Sequence, residues 1–511
     1  SKNTYADAIA TLNKSFNDWS VNVNLGVSLS DSRYEMIGYE GGLKLINFFA
    51  VHNIDFNKAW KAKQSGWHDQ TRAIFANAEI GWKSMIYLTA TGRNDWDSRL
   101  AFSDYKSFFY PSIGLSAILT SMFNAPDWLT YLKVRGSYTE VGNSYGRFMT
   151  TVTYPYDEQT QSWTSTSSYP NTKLKPERTK SWEVGLDARI LNDISLNLTY
   201  YRSNTYNQTF DPRLPVSSGY DKLYVQTGYV RNYGFEAMLS YGHRWGDFGW
   251  DSSFTFSANK NEIVELVKDY VHPETGKTYN VDKLELKTDE GRGFGKAKFI
   301  LKEGGTLGDL YTHADLKRDI NGNVLIDDSG NVTAIDNAGD IKLGSVLPKA
   351  NLAWNNSFSY KGINAGFLLT ARLGGIVYSA TQAYLDLYGV SETSAAARDA
   401  GGVWINGRSR VNPQSFYEVV ASQSGLPTYY TYSATNLRLQ EAHIGYTVPR
   451  RWLGNVCDIN VSLVGRNLWM IYCKAPFDPE AVATTNNYYQ GIDYFMMPST
   501  RNIGFNIKIN F

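Results

Sequence analysis

Residues 180–204 read KSWEVGLDARILNDISLNLTYYRSN. Trp182, Val184, Leu186, Ala188 and Ile190 alternate with Glu183, Gly185, Asp187 and Arg189. After Leu191-Asn192-Asp193, Ile194, Leu196, Leu198 and Tyr200 alternate with Ser195, Asn197, Thr199 and Tyr201. A period of two over both arms predicts an antiparallel hairpin with one apolar and one polar face. The pattern recurs about fifteen times along the chain, near 5–16, 20–30, 72–82, 84–93, 108–119, 131–141, 180–190, 194–204, 230–242, 248–260, 348–360, 363–373, 435–447, 457–469 and 500–511. Strands of water-soluble sheets cluster near five or six residues, whereas strands that cross a bilayer need about nine to eleven. Most of these segments are of the second kind.

The connections sharpen the choice. Tight turns (FND, WK, LND, GDF, KG) and two somewhat longer ones (SMFNAPDW, PRRWLGN) alternate with long connections near 31–71, 94–107, 142–179, 205–229, 261–347, 374–434 and 470–499. Short turns at one end and long loops at the other are the arrangement of an outer-membrane barrel. A Greek-key sandwich does not sort its loops this way. Only SETSAAARDAGG, 391–402, suggests a short helix, so no helical layer is available to cover the apolar faces. The expected fold class is therefore all-β, a transmembrane antiparallel β-barrel. The side carrying Trp182 to Tyr200 meets acyl chains, and the side carrying Glu183, Asp187, Arg189 and Asn197 lines an aqueous interior. The last strand repeats the pattern, with Ile503, Phe505, Ile507, Ile509 and Phe511 on one face.

Composition excludes other classes. A net charge of +1 gives no electrostatic case for nucleic acid. Thirty-six tyrosines and 14 tryptophans suit interfacial aromatic girdles, though carbohydrate-binding β-proteins are also aromatic-rich. No run of about 18 apolar residues predicts a transmembrane helix, which leaves a barrel untouched. Cys457 and Cys473 bracket one strand, roughly 50 Å apart at about 3.3 Å per residue, which predicts two free thiols. The opening SKNTYADAIATLNKSF carries no signal peptide and enters a strand at once, as expected for the later part of a longer chain. His52, His68, His243, His272, His313 and His443 show no metal-binding spacing, and His443 reads as an interior-facing polar group. No nucleophile elbow, Walker loop or dinucleotide fingerprint appears, so no enzymatic activity is expected.

Several stretches resemble the SusC/RagA subfamily of TonB-dependent outer-membrane receptors of Bacteroidetes. They are GRNDWDSRL (92–100), FFYPSIGLSAILTSMF (108–123), LKVRGSYTEVGN (132–143), LKPERTKSWEVGLD (174–187), YVRNYGFEAMLSY (229–241), SANKNEI (257–263), GSVLPKANLAWNNSFSYKGINAGF (344–367), TNLRLQEAHIGYTVP (435–449) and DPEA (478–481), in the order that subfamily uses. The resemblance implies a barrel of about 22 strands with an N-terminal plug, of which this chain would be the C-terminal portion, lacking about seven strands and the plug. It also implies active import of an oligosaccharide or oligopeptide, energised through TonB, with a SusD-like lipoprotein lid. A passive porin or an adhesion barrel is the alternative.

Two constellations stand out. DINGNVLIDDSGN offers oxygen ligands at Asp319, Asn321, Asn323 and Asp327, chemistry that suits calcium, although no glutamate closes the loop; a solvated loop with Asn-Gly turns is the other reading. No cofactor is otherwise required. Aromatic clusters in the long loops are the candidate contacts for ligand or lid: Tyr154, Tyr156, Trp163, Tyr384, Tyr388, Tyr429, Tyr430, Tyr432, Tyr488, Tyr489 and Tyr494. Loop packing and girdle anchoring are the alternatives for each.

Overall fold

The computed structural model describes residues 1–510 except 155, 158–160, 165–167, 211–219, 221, 272–275, 287–292, 455 and 485–488. Fifteen strands form one sheet in which each pairs with its neighbours in sequence. They are β1 (Lys2–Phe16), β2 (Trp19–Gly41), β3 (Trp60–Trp82), β4 (Ile86–Asp97), β5 (Phe108–Ile118), β6 (Leu129–Asn143), β7 (Glu177–Ile190), β8 (Ile194–Phe210), β9 (Val225–Trp245), β10 (Phe248–Glu265), β11 (Ala350–Tyr360), β12 (Ile363–Leu373), β13 (Asn436–Val448), β14 (Asp458–Cys473) and β15 (Asn502–Asn510). All fifteen segments read from the alternation are strands, in order. Two compact units divide the chain: Ser1–Ala117 with Arg135–Trp182 and Thr205–Thr227, and Ile118–Val134 with Glu183–Asn204 and Gly228–Phe511.

The tight turns have the left-handed backbone that two-residue hairpins require. Asn17 joins β1 to β2 at φ +50°, Gly246 joins β9 to β10 at +59°, and Lys361-Gly362 joins β11 to β12 at +45° and +91°. Pairing registers then fix the faces. In the first unit, Trp19, Val21, Val23, Leu25, Val27 and Leu29 of β2 lie opposite Trp82, Ile80, Ala78, Ala76, Ile74 and Arg72 of β3 on the outward face. Ser20, Asn22, Asn24, Gly26, Ser28 and Ser30 face inward. From Trp19 to Leu29 the apolar run climbs about 34 Å along the strand, or about 26 Å once tilted by about 40°, the height of an outer-membrane apolar band. The next outward residue is Asp31, paired with His68 at 2.8 Å, so the polar boundary falls where the band should end.

Many of the outward side chains among the described residues are exposed. Phe235 is 39% exposed and Ile507 55%, and Leu186 and Leu196 are half-buried on the same hairpin face that opened the sequence reading. A hollow of about 850 Å³, lined among others by Ala8, Ala10, Leu25, Val27, Ile74 and Trp96, is predominantly apolar, as a surface that meets acyl chains requires. Asp187 and Asn197 bond to one another on the opposite face. His443 pairs with Gly366 and Val464 on the inward side, and a Cβ at Gly366 would come within 2.6 Å of its ring, so glycine makes the room.

Three features depart from the expected boundaries. The connection expected over 31–71 is mostly strand, because β2 runs to Gly41 and β3 starts at Trp60. The connections over 261–347 and 374–434 are folded, and they contain two helices, Ala380–Leu387 and Pro413–Val420, besides the expected one, seen at Glu392–Asp399. Cys457 and Cys473 are free, at opposite ends of β14. β1 and β15 end the strand order with one hydrogen-bonded neighbour each, and their residues are exposed throughout.

Candidate functional site

The second unit carries a folded layer at the long-loop end of its strands. Strands Lys283–Glu285, Ala297–Lys302, Asp309–Thr312 and Ile341–Ser345 make one small sheet, and Thr431–Ser433, Ile376–Ser379 and Ile492–Asp493 make another. Between them lies a dry core that includes Phe299, Leu310, Leu316, Val346, Tyr378 and Leu426. Helix α1 (Ala380–Leu387) starts at Ser379, whose Oγ accepts from the Gln382 amide at 2.9 Å. Asn412 caps α3 (Pro413–Val420), with Pro413 in the first turn, a start signal readable in the sequence; α2 (Glu392–Asp399) begins at Ser391.

Buried polar groups bolt the layer together. The Tyr430 hydroxyl donates to Asp386 at 3.0 Å, and Gln382 donates to the same carboxylate at 2.9 Å. Ser379 donates to Asp493 across 114 residues of sequence at 2.5 Å. Burial pushes the Tyr378, Tyr430 and Tyr432 hydroxyls above the ordinary tyrosine value, so all three stay neutral donors. Arg438 joins layer to sheet. Its guanidinium meets Asp478 at 2.6 Å, Asn467 at 2.9 Å and Glu480 at 3.4 Å. The Arg438 and Asp478 side chains are only 6% and 9% exposed. TNLRLQEA and DPEA are therefore two halves of one clamp.

Burial acts to raise the Asp478 carboxyl, but bonds from Arg438, Ser499 and the Glu480 amide outweigh it and hold the group below its ordinary value of 3.8. A depressed folded value means the clamp is fully in place above the unfolded value and is lost as pH falls through the folded one. Hydrogen exchange over 474–484, corrected for intrinsic rate, should be flat between about pH 5 and 8 and rise only below about pH 4. A rise near neutrality would overturn this assignment.

The first unit has an equivalent knot. Asp97 accepts from the Arg99 guanidinium at 2.5 Å and from Ser144 at 2.7 Å. Leu100, Phe108, Tyr145 and Leu174 pack together beneath it. WDSRL, the residues after VGN, and LKPE thus meet in one place, in roles of packing and pairing.

The aromatic candidates separate into three groups. Tyr430 is buried, and Tyr429 and Tyr432 pack on the core, the former 6.1 Å from Phe416 and the latter 5.5 Å from Phe477. Tyr384 and Tyr494 are brought together through Phe495, which sits 5.3 Å from Tyr384 and 5.1 Å from Tyr494; Phe294 closes the row 4.3 Å from Tyr494. Phe495 holds φ +49° with its amide donated to Thr381 Oγ1 at 2.7 Å, an uncommon backbone for a bulky residue. Tyr388 is well exposed at the end of α1, and Tyr489 packs partly on the core. In the first unit Tyr156 and Trp163 meet edge to face at 5.1 Å, and Tyr154 is exposed nearby in sequence. Tyr488 and His272 lie outside the described residues. Nothing in the run YF marks the left-handed backbone of Phe495, and Phe294 joins the row only through tertiary packing on Tyr494.

Asp319 and Asp327 head two successive turns of the same form, DINGNV and DDSGNV. Asp319 Oδ1 accepts from the Asn321 and Asn323 amides and Asp327 Oδ1 from those of Ser329 and Asn331, all at 2.8–2.9 Å. Asn321 and Asn323 thus lie in the first turn and Asp327 in the second. Among the described residues no group of three or more His, Cys, Asp or Glu has metal-binding geometry. A hollow of about 730 Å³ with a mixed lining lies on the inward face of the second unit, its polar groups including Glu236, Ser257, Asn351, Thr370, Arg372 and Glu480. It presents hydrogen-bonding groups with no nucleophile–base pair.

Residues 2–468 match the family described as TonB dependent receptor-like, beta-barrel. TonB-dependent receptor P3 of Formosa agariphila is 24% identical over 99% of this chain and 52% of its own length. TonB-dependent receptor SusC of Bacteroides thetaiotaomicron is 24% identical over 82% of this chain and 38% of its own. The structure of the RagAB peptide transporter superposes with a TM-score of 0.77 at 18% identity, covering 100% of this chain and 55% of that one, a likeness of fold. The chain spans about half the length of the curated relatives it matches. With its bilayer-facing strands, inward polar ladder and folded loop layer, the chain belongs to the β-barrel family of TonB-dependent receptors of the outer membrane, is similar to SusC in sequence and shares the fold of the RagAB transporter.

Proposed function

We propose that the full-length protein imports a nutrient, an oligosaccharide or an oligopeptide, across the outer membrane, energised through TonB and working with a SusD-like surface lipoprotein as lid. The observation that carries this reading is a membrane sheet bearing an ordered outer layer with an aromatic row, Phe294–Tyr494–Phe495–Tyr384, in which Tyr494 and Phe495 are exposed and Phe294 and Tyr384 are half-buried. Rings held in place before a ligand arrives lose little entropy on binding it. Tyr388, Tyr489, Tyr154, Tyr156 and Trp163 are the further contacts with ligand or lid. Tyr429, Tyr430 and Tyr432 serve by holding the layer in shape. Calcium at Asp319, Asn321, Asn323 and Asp327 would compete with the turn hydrogen bonds the two carboxylates already accept.

The barrel performs no covalent chemistry on this reading; it contacts ligand and guides passage. The open edges of β1 and β15 are to be covered by further strands or by another protein, since unpaired backbone groups in hydrocarbon cost several kcal/mol each. The test is growth-limiting uptake in the native host. Deleting TonB or the receptor's plug region should abolish energised uptake, and Phe495→Ala with Tyr494→Ala should raise the half-saturating ligand concentration at least about tenfold. Normal uptake without TonB would refute the import reading in favour of a passive pore.

A further inference from the structure

The hairpin of β2 and β3 runs far beyond the apolar band. From Tyr34 to Gly41 and from Trp60 to Trp67, above the last pairing with β1, it is a two-stranded ribbon about 24 Å long at about 3.4 Å per residue. Most residues of 35–41 and 60–66 are exposed on both faces. A ribbon of this kind is marginal in water by itself.

At its end the turn mixes polar residues with large apolar ones. Leu45, Ile46, Phe48, Phe49, Val51 and Phe56 are all exposed, Ile46 at 88% and Phe49 at 87%. Asn53 fixes this knot from inside. Its Oδ1 accepts from the Leu45 amide at 3.0 Å, and its Nδ2 donates to the carbonyls of Leu45 at 2.8 Å and Phe48 at 2.7 Å. The apolar side chains are thus presented by an ordered turn.

The six side chains expose on the order of 600 Å² of apolar surface, at roughly 150–250 Å² per fully exposed aromatic and somewhat less per aliphatic. That is at the upper end for the largest patch on a monomer and close to one partner's share, about 800 Å², of a standard protein interface. Charge narrows the occupant. Residues 39–63 hold Lys44, Lys58, Lys61 and Lys63 against Glu40 and Asp55; Lys58 pairs with Asp55 and Lys63 with Glu40, which leaves an excess of two positive charges. A second copy would set like charge against like. A bilayer would take the tip and leave the ribbon behind it bare.

We propose that the arm tip docks into a folded protein surface with an apolar pocket and an acidic rim, presented by the surface lipoprotein of the import complex. This rests on the import reading for the existence of that partner. Its location, at the end of β2–β3, rests on the arm alone. The arm's role is to grip the partner.

The test uses the full-length receptor in detergent and its purified lipoprotein, with affinity measured by titration. Ile46→Ser with Phe49→Ser, which leaves Asn53 in place, should weaken binding at least about 100-fold. Lys44→Glu with Lys61→Glu should weaken it about tenfold and reduce its salt dependence. Unchanged affinity in the Ile46/Phe49 variant, with wild type binding well, overturns the docking site and leaves the import reading standing. A wild-type receptor that does not bind the lipoprotein overturns both. Two other results would also overturn it: loss of a receptor dimer in the same variant, which assigns the tip to a second copy, and shielding of Phe49→Cys from a thiol reagent in the receptor alone, on a background lacking Cys457 and Cys473, which assigns it to the receptor's own chain.

Discussion

Leu239→Arg should destabilise the full-length receptor by about 2–4 kcal/mol, while Ser240→Arg, one residue on, should stay within about 1 kcal/mol. Leu239 lies opposite Phe254 on the outward face and Ser240 opposite Ser253 on the inward one. Six residues separate Leu239 from the turn-side end of β9 at Trp245. At about 3.4 Å per residue and about 40° of tilt this places it about 15 Å up, near the middle of the apolar band. A guanidinium there has acyl chains around it and must snorkel or draw in water. At Ser240 it meets the polar ladder. The Ser240–Ser253 hydrogen bond, 3.2 Å long, is all that it displaces. Denaturant unfolding in lipid vesicles reads the difference, and equal costs at the two positions would sink the assignment of faces.

Arg438→Ala should cost about 3–5 kcal/mol, felt in the loop layer more than in the membrane strands. The cost is mainly that of leaving Asp478 buried and charged with its principal partner gone. Two controls separate this from simple loss of packing. Arg438→Met with Asp478→Leu removes both charges and should recover most of the loss. Glu480→Gln, which touches the more distant and more exposed partner, should cost no more than about 1 kcal/mol. Hydrogen exchange is the readout. Protection should collapse across 474–484 and the upper end of β13 and persist in β11 and β12. Unchanged protection in Arg438→Ala would mean that the layer is held by its apolar core alone.

The contrast between the two substitutions tracks what could be read from residues in a row. Alternation over Trp182 to Tyr200 specifies strand, face and environment, because side chains on a strand point to opposite sides whatever the rest of the chain does. The apolar band on β2 could likewise be measured before any coordinates. The long connections were legible only as long. Asn412-Pro413 does announce the start of α3. No local signal says that Tyr430 is enclosed while Tyr388 is in water, or that Phe495 takes a left-handed backbone. The extent of the β2–β3 arm was also missed, since Glu35 to Gly41 loses the alternation once lipid no longer selects one face.

The sequence by itself determined the fifteen strands, their two faces and the bilayer as the partner of one of them. These follow from a period of two and from turn chemistry, both set by neighbours in the chain. The family resemblance rests separately on motifs such as LKVRGSYTEVGN and LKPERTKSWEVGLD. The tertiary structure alone decided which tyrosines hold the loop layer and which are presented, the clamp from Arg438 to Asp478, and the apolar knot on the arm. Those features join residues as far apart as Ser379 and Asp493, and their energies exist only once the intervening chain has closed.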